Sequence, residues 1–204
     1  KAGCVYIGFG AESASPHTLT AMKKGGFILR NGITPTKING SVYDFPTTMV
    51  DAIKNCRDAN VHANCTWIMA YPGEALEHLK TSVAFILWQQ EFWTKGLVAG
   101  TPQYNANLAG VNTKMFTATA YPGTEMWNVV KPKLTKHFDI SFNKIGQPIC
   151  DENFHKYVLE LDDATKVLND KNGNPVNFGE MPLDVFLQAR EHVNNGNIEK
   201  ILEM

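Results

Sequence analysis

The sequence predicts an α/β fold, a parallel sheet with helices packed outside it, and two observations carry that prediction. Apolar runs rich in β-branched and aromatic residues recur at residues 4–7, 64–70 and 114–120, each passing through turn residues into a helical pattern. The tetrapeptide Ala-Tyr-Pro-Gly also stands twice, beginning at Ala70 and at Ala120, both times between such a run and a helix. Repeated strand–loop–helix units argue for parallel strands, because the helix between them covers the sheet.

Taken in order, Cys4-Val5-Tyr6-Ile7 reads as a buried strand, and Gly8-Phe9-Gly10-Ala11-Glu12-Ser13 as the glycine loop that follows it. Ser15-Pro16 supplies a helix cap and a first-turn proline; Leu19 and Met22 share one face, and Gly25-Gly26 ends the helix. Thr47 or Thr48 caps a second helix whose Met49, Ala52, Ile53 and Cys56 form one stripe. The strand over 64–70 ends at Tyr71-Pro72-Gly73-Glu74. A long helix then runs from Ala75 with Leu76, Leu79, Val83 and Ile86 toward the core. Residues 100–112 are rich in Asn and Gly and read as a loop. The third strand, 114–120, ends at Tyr121-Pro122-Gly123-Thr124-Glu125, and a short helix continues until Pro132.

After residue 136 the character changes. A short strand over 138–142, helices over 162–168 and 183–193, and a turn at 170–175 are expected. This divides the chain into residues 1–136 and a mostly helical extension, 137–204, which carries no chemical motif and reads as packing.

Composition excludes several classes. The 204 residues are 44% apolar and 19% charged, which rules out disorder for the whole chain. Lys plus Arg number 19 against 20 Asp plus Glu, with no basic run, so nucleic acid is not an expected partner. The longest apolar block, 83–93, is broken by Gln89, Gln90 and Glu91, so no membrane span is expected, and no signal peptide is visible. Cys4, Cys56, Cys65 and Cys150 form no C-x-x-C pair, and the six histidines show no metal-ligand spacing. Free thiols in a reducing cytoplasm are the expectation, with no metal site. The chain begins at Lys1 and runs at once into a strand, which suggests a piece of a longer polypeptide.

In parallel α/β folds the ligand face lies at the carboxyl ends of the strands. Residues 8–13, 71–74 and 121–125 should therefore lie side by side. Gly8-x-Gly10 is half of a dinucleotide fingerprint. Ser13 stands at the third glycine position, and no acidic residue follows about twenty residues on. A Walker lysine motif is absent too. Glu12 beside two glycines suits acceptance of hydroxyl or ammonium donors from a ligand; equally, it suits the positive end of a helix dipole. Pro72-Gly73 and Pro122-Gly123 also serve as plain turns, and Tyr71 and Tyr121 equally as packing.

On these segments the chain resembles the radical S-adenosylmethionine enzymes, most closely the branch often preceded by a cobalamin-binding domain and including oxidative cyclases of the Mg-protoporphyrin type. The similarity lies in residues 8–15 with 19–25, in Ile68-Met69-Ala70-Tyr71-Pro72-Gly73-Glu74 with Leu79 and Thr81, and in residues 118–126. It covers residues 4 to about 130. Ala70 and Ala75 depart from the family, which favours glycine and threonine there.

The resemblance implies a partial (β/α) TIM-like barrel of which this chain holds only the later strand–helix units. Gly8, Gly10, Glu12 and Ser13 would contact the ribose or methionine part of S-adenosylmethionine. Tyr71, Pro72, Gly73, Glu74, Tyr121, Pro122 and Gly123 would line the adenine and substrate side. The C-x-x-x-C-x-x-C that binds a 4Fe-4S cluster in the family is absent, and Cys4, inside a strand, cannot replace it. The expected function is thus a fragment of an iron–sulfur, S-adenosylmethionine-dependent radical oxidoreductase or methyltransferase acting on a small molecule, with cobalamin a possible further cofactor. Alone it would be inactive, lacking the N-terminal half of its barrel. The open side, with Ile68 and Phe116 on the inner face, predicts a homodimer of the fragment unless the tail covers it. Two alternatives stand beside this reading: a non-catalytic binding or assembly module that keeps a half barrel, and a complete nucleotide-binding α/β domain.

Overall fold

The computed structural model describes residues 3–163 and 166–204. Three strands, β1 (Tyr6–Glu12), β4 (His62–Met69) and β5 (Met115–Thr117), form a parallel sheet in the order β1-β4-β5. Tyr6 pairs with His62 and Phe9 with Cys65, while Trp67 pairs with Met115 and Met69 with Thr117. Between β1 and β4 lie α1 (Pro16–Ala21), α2 (Gly25–Ile28), an antiparallel hairpin of β2 (Ile33–Ile38) and β3 (Ser41–Pro46), and α3 (Thr47–Asp58). Between β4 and β5 run α4 (Leu76–Thr94) and α5 (Pro102–Ala109). The chain then continues through α6 (Glu125–Val129), α7 (Lys131–Phe138), α8 (Glu152–Leu159), a 3₁₀ turn (Glu160–Asp162), α9 (Leu183–Asn194) and a last 3₁₀ turn (Ile198–Glu203).

The two faces of the sheet differ. Along β4, Ala63, Cys65, Trp67 and Met69 are buried, whereas His62, Asn64, Thr66 and Ile68 are only half-buried. That is the period-2 alternation of a strand. The buried face packs on α4, where Trp67, Phe85, Trp88 and Phe45 form a continuous aromatic cluster with ring centroids 5.1–6.2 Å apart. Gln89 reaches back from α4 to donate to the Ala63 carbonyl at 3.0 Å. A second apolar cluster gathers Met126, Trp127, Leu134, Ile140, Tyr157 and Phe178. Residues beyond 136 enter both clusters: Phe186, Ala189 and Val193 of α9 join the first.

The α/β class and the parallel sheet are therefore present; the sheet is small, and three strands do not show the arc of a barrel. Several local expectations change. β1 runs on through Gly8, Phe9, Gly10 and Ala11 to Glu12, so the glycines are strand residues and not a loop. Ladder bonding to β4 carries the chain through them. The strand ends on a bulge, since Phe9 and Glu12 pair with Cys65 and Trp67 with one extra residue on β1. Gly25 opens α2 instead of closing α1, which ends at Ala21. The hairpin β2–β3 turns on Asn39-Gly40, both at positive φ (48° and 88°), as a two-residue hairpin turn demands. In α3 the buried stripe is Met49, Val50, Ile53 and Cys56, with Pro46 at the cap position. Within residues 100–112, Thr101 caps α5 by accepting from the Tyr104 amide, so this stretch is not all loop. Residues 138–142 contribute only an isolated bridge, Phe142 to Pro148. Of the helix expected over 162–168, residues 164–165 lie outside the described residues, and residues 166–168 are not helical.

Candidate functional site

The half-buried face of the sheet floors a groove of about 530 Å³. Thr66 and Ile68 of β4 and Phe116 of β5 form its base, all on the face turned away from α4. Glu12, Tyr71 and Tyr121 stand around its rim, with Thr124 and Glu125. Glu12 ends β1, and the other rim residues follow the carboxyl ends of β4 and β5.

Local geometry explains each position. Glu12 takes φ 63° at the bulge that ends β1, a left-handed conformation unusual for a residue with a Cβ. Its carboxylate accepts from the Lys24 ammonium at 3.1 Å. Tyr71 and Tyr121 each open a tight turn. The Glu74 amide donates to the Tyr71 carbonyl at 2.9 Å, and the Thr124 amide to the Tyr121 carbonyl at 3.2 Å. In each, proline is followed by glycine at φ 87° (Gly73) or 86° (Gly123), which makes both type II turns. The Thr124 hydroxyl then caps α6 by accepting from the Trp127 amide. Across the rim, Lys23 meets Glu125 at 2.7 Å. Burial raises the Tyr71 phenol above its ordinary pKa; the Glu125 charge adds to this and Lys23 opposes it.

Glu12, Tyr71 and Tyr121 thus come together in one groove. The other expected site residues do not line this groove. Gly8 is exposed in β1, and Gly10 borders a different cavity on the far face of the sheet. Ser13 is buried, bonded through its hydroxyl to that of Ser82 at 3.0 Å and accepting from the Ser15 amide. Pro72 and Gly73 shape the first turn, whose Gly73 carbonyl lies 3.1 Å from His17 Nε2. Pro122 and Gly123 shape the second turn and are exposed.

Glu74 is fully buried beneath the first turn. Its Oε2 accepts from the Ala70 amide at 2.6 Å, and its Oε1 has no hydrogen-bond partner among the described residues. Desolvation pushes its carboxyl up to about 8 despite the amides of Ala70 and Tyr71 that favour the anion. Burial thus favours the neutral acid at the foundation of the turn. The carboxyl also holds Ala70, which takes φ 64°.

The base of the groove was legible in principle. Alternation along 62–69 puts Thr66 and Ile68 on one face, and the same reading puts Phe116 beside them. Lys23 and Lys24 carry no motif, and their meeting with Glu125 and Glu12 depends on the path of α1 and α2.

No protein-family model matches the chain. The chain is similar to an uncharacterized methyltransferase of Pyrococcus horikoshii, with 27% identity over 128 residues. The match takes in 62% of this chain and 20% of that protein, so the chain corresponds to about a fifth of its relative's length. Among the described residues no group of three or more His, Cys, Asp or Glu could hold a metal ion.

These findings correct the radical S-adenosylmethionine resemblance. No such family is matched, and among the described residues nothing supports the 4Fe-4S cluster that the resemblance implies for a longer protein. The physical reason lies in the motifs. Gly8 and Gly10 belong to a strand, and Pro-Gly at 72–73 and at 122–123 is the pair that a type II turn favours whatever the protein does. Among the described residues no helix is long and apolar enough to cross a membrane.

Proposed function

We propose that the groove is an S-adenosylmethionine site and that the chain is part of a methyltransferase. One observation carries the reading: a carboxylate, Glu12, and three aromatic side chains, Tyr71, Tyr121 and Phe116, share one concave site at the carboxyl ends of parallel strands. The relative's description as a methyltransferase supports it.

The residues suit the parts of that molecule. Glu12 offers a carboxylate to ribose hydroxyls or to the amino group of the methionine part, by charge-assisted hydrogen bonds. Phe116, Tyr71 and Tyr121 offer faces on which a purine stacks. The same faces attract a sulfonium by cation–π interaction. Thr66 at the base and Thr119 and Thr124 at the rim add hydroxyls. The groove's volume falls within the range of about 300–1,000 Å³ usual for small-molecule sites. When bound, the cofactor supplies an electrophilic methyl group. The acceptor is a small molecule entering the open side of the groove. The described cysteines are unpaired, in keeping with a cytoplasmic setting as part of the same proposal.

Calorimetric titration with S-adenosylmethionine and S-adenosylhomocysteine tests the reading. Saturable binding of both is expected, weakened in Phe116→Ala. No binding at millimolar ligand, or equal binding of ATP, overturns it.

A further inference from the structure

Two histidines meet behind the first turn. His17 of α1 and His78 of α4 stack face to face, their ring centroids 4.1 Å apart and their planes 6° from parallel. His17 Nε2 lies 3.1 Å from the Gly73 carbonyl, and the Ala75 amide donates to His78 Nδ1 at 3.0 Å. The pair therefore grips both ends of the segment 73–75, which joins the Tyr71 turn to α4. Tyr71 itself stands on the rim of the groove.

These bonds fix where hydrogens sit. A carbonyl only accepts, so His17 Nε2 carries a hydrogen; an amide only donates, so His78 Nδ1 carries none. At the third position of α4, His78 thereby takes the part that Glu or Gln plays in a capping box. A further proton on His17 enters at Nδ1 and breaks neither bond. On His78 it must enter at Nδ1, where it displaces the Ala75 amide. The cation so formed would also face the positive end of a 19-residue helix.

The surroundings act in the same direction. Burial first, and then charge on His17, lower the His78 pKa from its ordinary 6.5, against the opposing Glu77 and Gly73 carbonyl. Tyr43 and Asp44 of β3 border the same cavity, of about 390 Å³, together with Glu77. Among the described residues no Lys or Arg lines it. Glu74, in the turn itself, is buried, which favours its neutral form.

We propose that the stacked pair is a pH-sensitive latch on the groove: a proton on His78 parts the rings, frees the backbone at Gly73 and Ala75, and draws Tyr71 from the rim. The latch is closed while His78 is neutral. Because the folded chain holds this proton less tightly than the unfolded one, the latch's contribution is complete above about 6.5 and lost as pH falls below it. Glu74 acts with the opposite sign, so exchange at the turn reads the latch better than global unfolding does. The latch belongs to the free chain; only the ligand it controls rests on the S-adenosylmethionine reading.

Amide hydrogen exchange of the free chain at pH 7.5 and 5.5, corrected for intrinsic rates, tests the latch. Exchange at residues 73–79 should quicken about tenfold in acid, while exchange within β4 stays level. His78→Gln keeps an acceptor for the Ala75 amide but takes up no proton, so exchange there should be equal at the two pH values. In Glu74→Gln the acid response should persist. S-adenosylmethionine affinity should fall in acid for the unsubstituted chain and hold steady in His78→Gln. Four results overturn the proposal: equal exchange at both pH values in the unsubstituted chain, an acid response that survives in His78→Gln, one that vanishes in Glu74→Gln, or a loosened turn with unchanged affinity. If S-adenosylmethionine binds at neither pH, the cofactor reading fails and exchange alone decides the latch.

Discussion

The ammonium of Lys24 lies 3.1 Å from the carboxylate of Glu12, and the two residues face different cavities. Glu12 stands on the rim of the groove, Lys24 at the border of the apolar cavity behind the sheet. The pair closes the carboxyl end of β1, where the bulge turns the Glu12 backbone into the left-handed region. Ligand binding and stability should therefore respond differently to changes here.

Glu12→Gln removes a partly exposed ion pair, and such pairs contribute at most about 1 kcal/mol. Thermal stability should fall only slightly. Affinity for S-adenosylmethionine should fall about tenfold or more, since hydrogen bonds to a charged group are worth about 1.5–3 kcal/mol. Titration calorimetry beside a melting curve separates the two effects. Equal affinity of the two proteins would remove Glu12 from the site.

Glu74 predicts a pH dependence of stability. Its carboxyl is raised from 4.5 to about 8 in the folded chain, so between those values the folded state binds more protons than the unfolded one. Stability should accordingly fall as pH rises from about 5 to 8, and this contribution should level off above that. The full slope for one group is about 1.4 kcal/mol per pH unit. Glu74→Gln should flatten this part of the profile and leave the protein more stable than the unsubstituted chain at pH 8. Urea titrations at pH 5.5, 7 and 8.5 measure it; parallel profiles for the two proteins would refute the assignment.

Gly179→Ala should destabilise the first turn. A methyl group there would lie 3.0 Å from the Glu74 carbonyl oxygen and 3.1 Å from Ala70 Cα, both backbone atoms that cannot swing aside. The Glu180 amide also donates to that Glu74 carbonyl at 2.8 Å, so the tail is bonded to the turn it would disturb. A loss of about 1–3 kcal/mol is expected, as for overpacked cores. Gly26→Ala, where the added carbon meets nothing within 4 Å, is the control and should be neutral or slightly stabilising.

Tyr157→Phe tests the second cluster. The Tyr157 hydroxyl donates to the Ala120 carbonyl at 2.7 Å in a buried setting, and burial pushes the phenol well above its usual pKa. Removing the donor leaves that carbonyl unmatched, at a cost of about 1–3 kcal/mol. Because Ala120 precedes the Tyr121 turn, amide exchange at residues 121–124 should accelerate as well. Unchanged exchange there would show that the turn does not rely on α8.

The sequence by itself determined the class of the fold and the meeting of Glu12, Tyr71 and Tyr121. Both follow from local patterns: apolar strands separated by helices run parallel, and parallel strands bring their carboxyl ends together. Alternation along 62–69 likewise divides Thr66 and Ile68 from Cys65 and Trp67 without any coordinates. Tertiary structure decided the rest. Gly8 and Gly10 look like a loop until ladder bonding with β4 carries the strand through them to Glu12. Glu74 looks like an exposed ligand carboxylate until the segment through Gly179 and Glu180 packs over its turn; burial then raises its pKa and favours the neutral acid. The same Tyr-Pro-Gly repeat suggested a radical enzyme, whereas its backbone shows only the demands of two type II turns. The pairing of Lys23 with Glu125 spans 102 residues and that of Lys24 with Glu12 spans 12. No local rule records such distances, because the approach of side chains is set by how helices pack and not by their spacing along the chain.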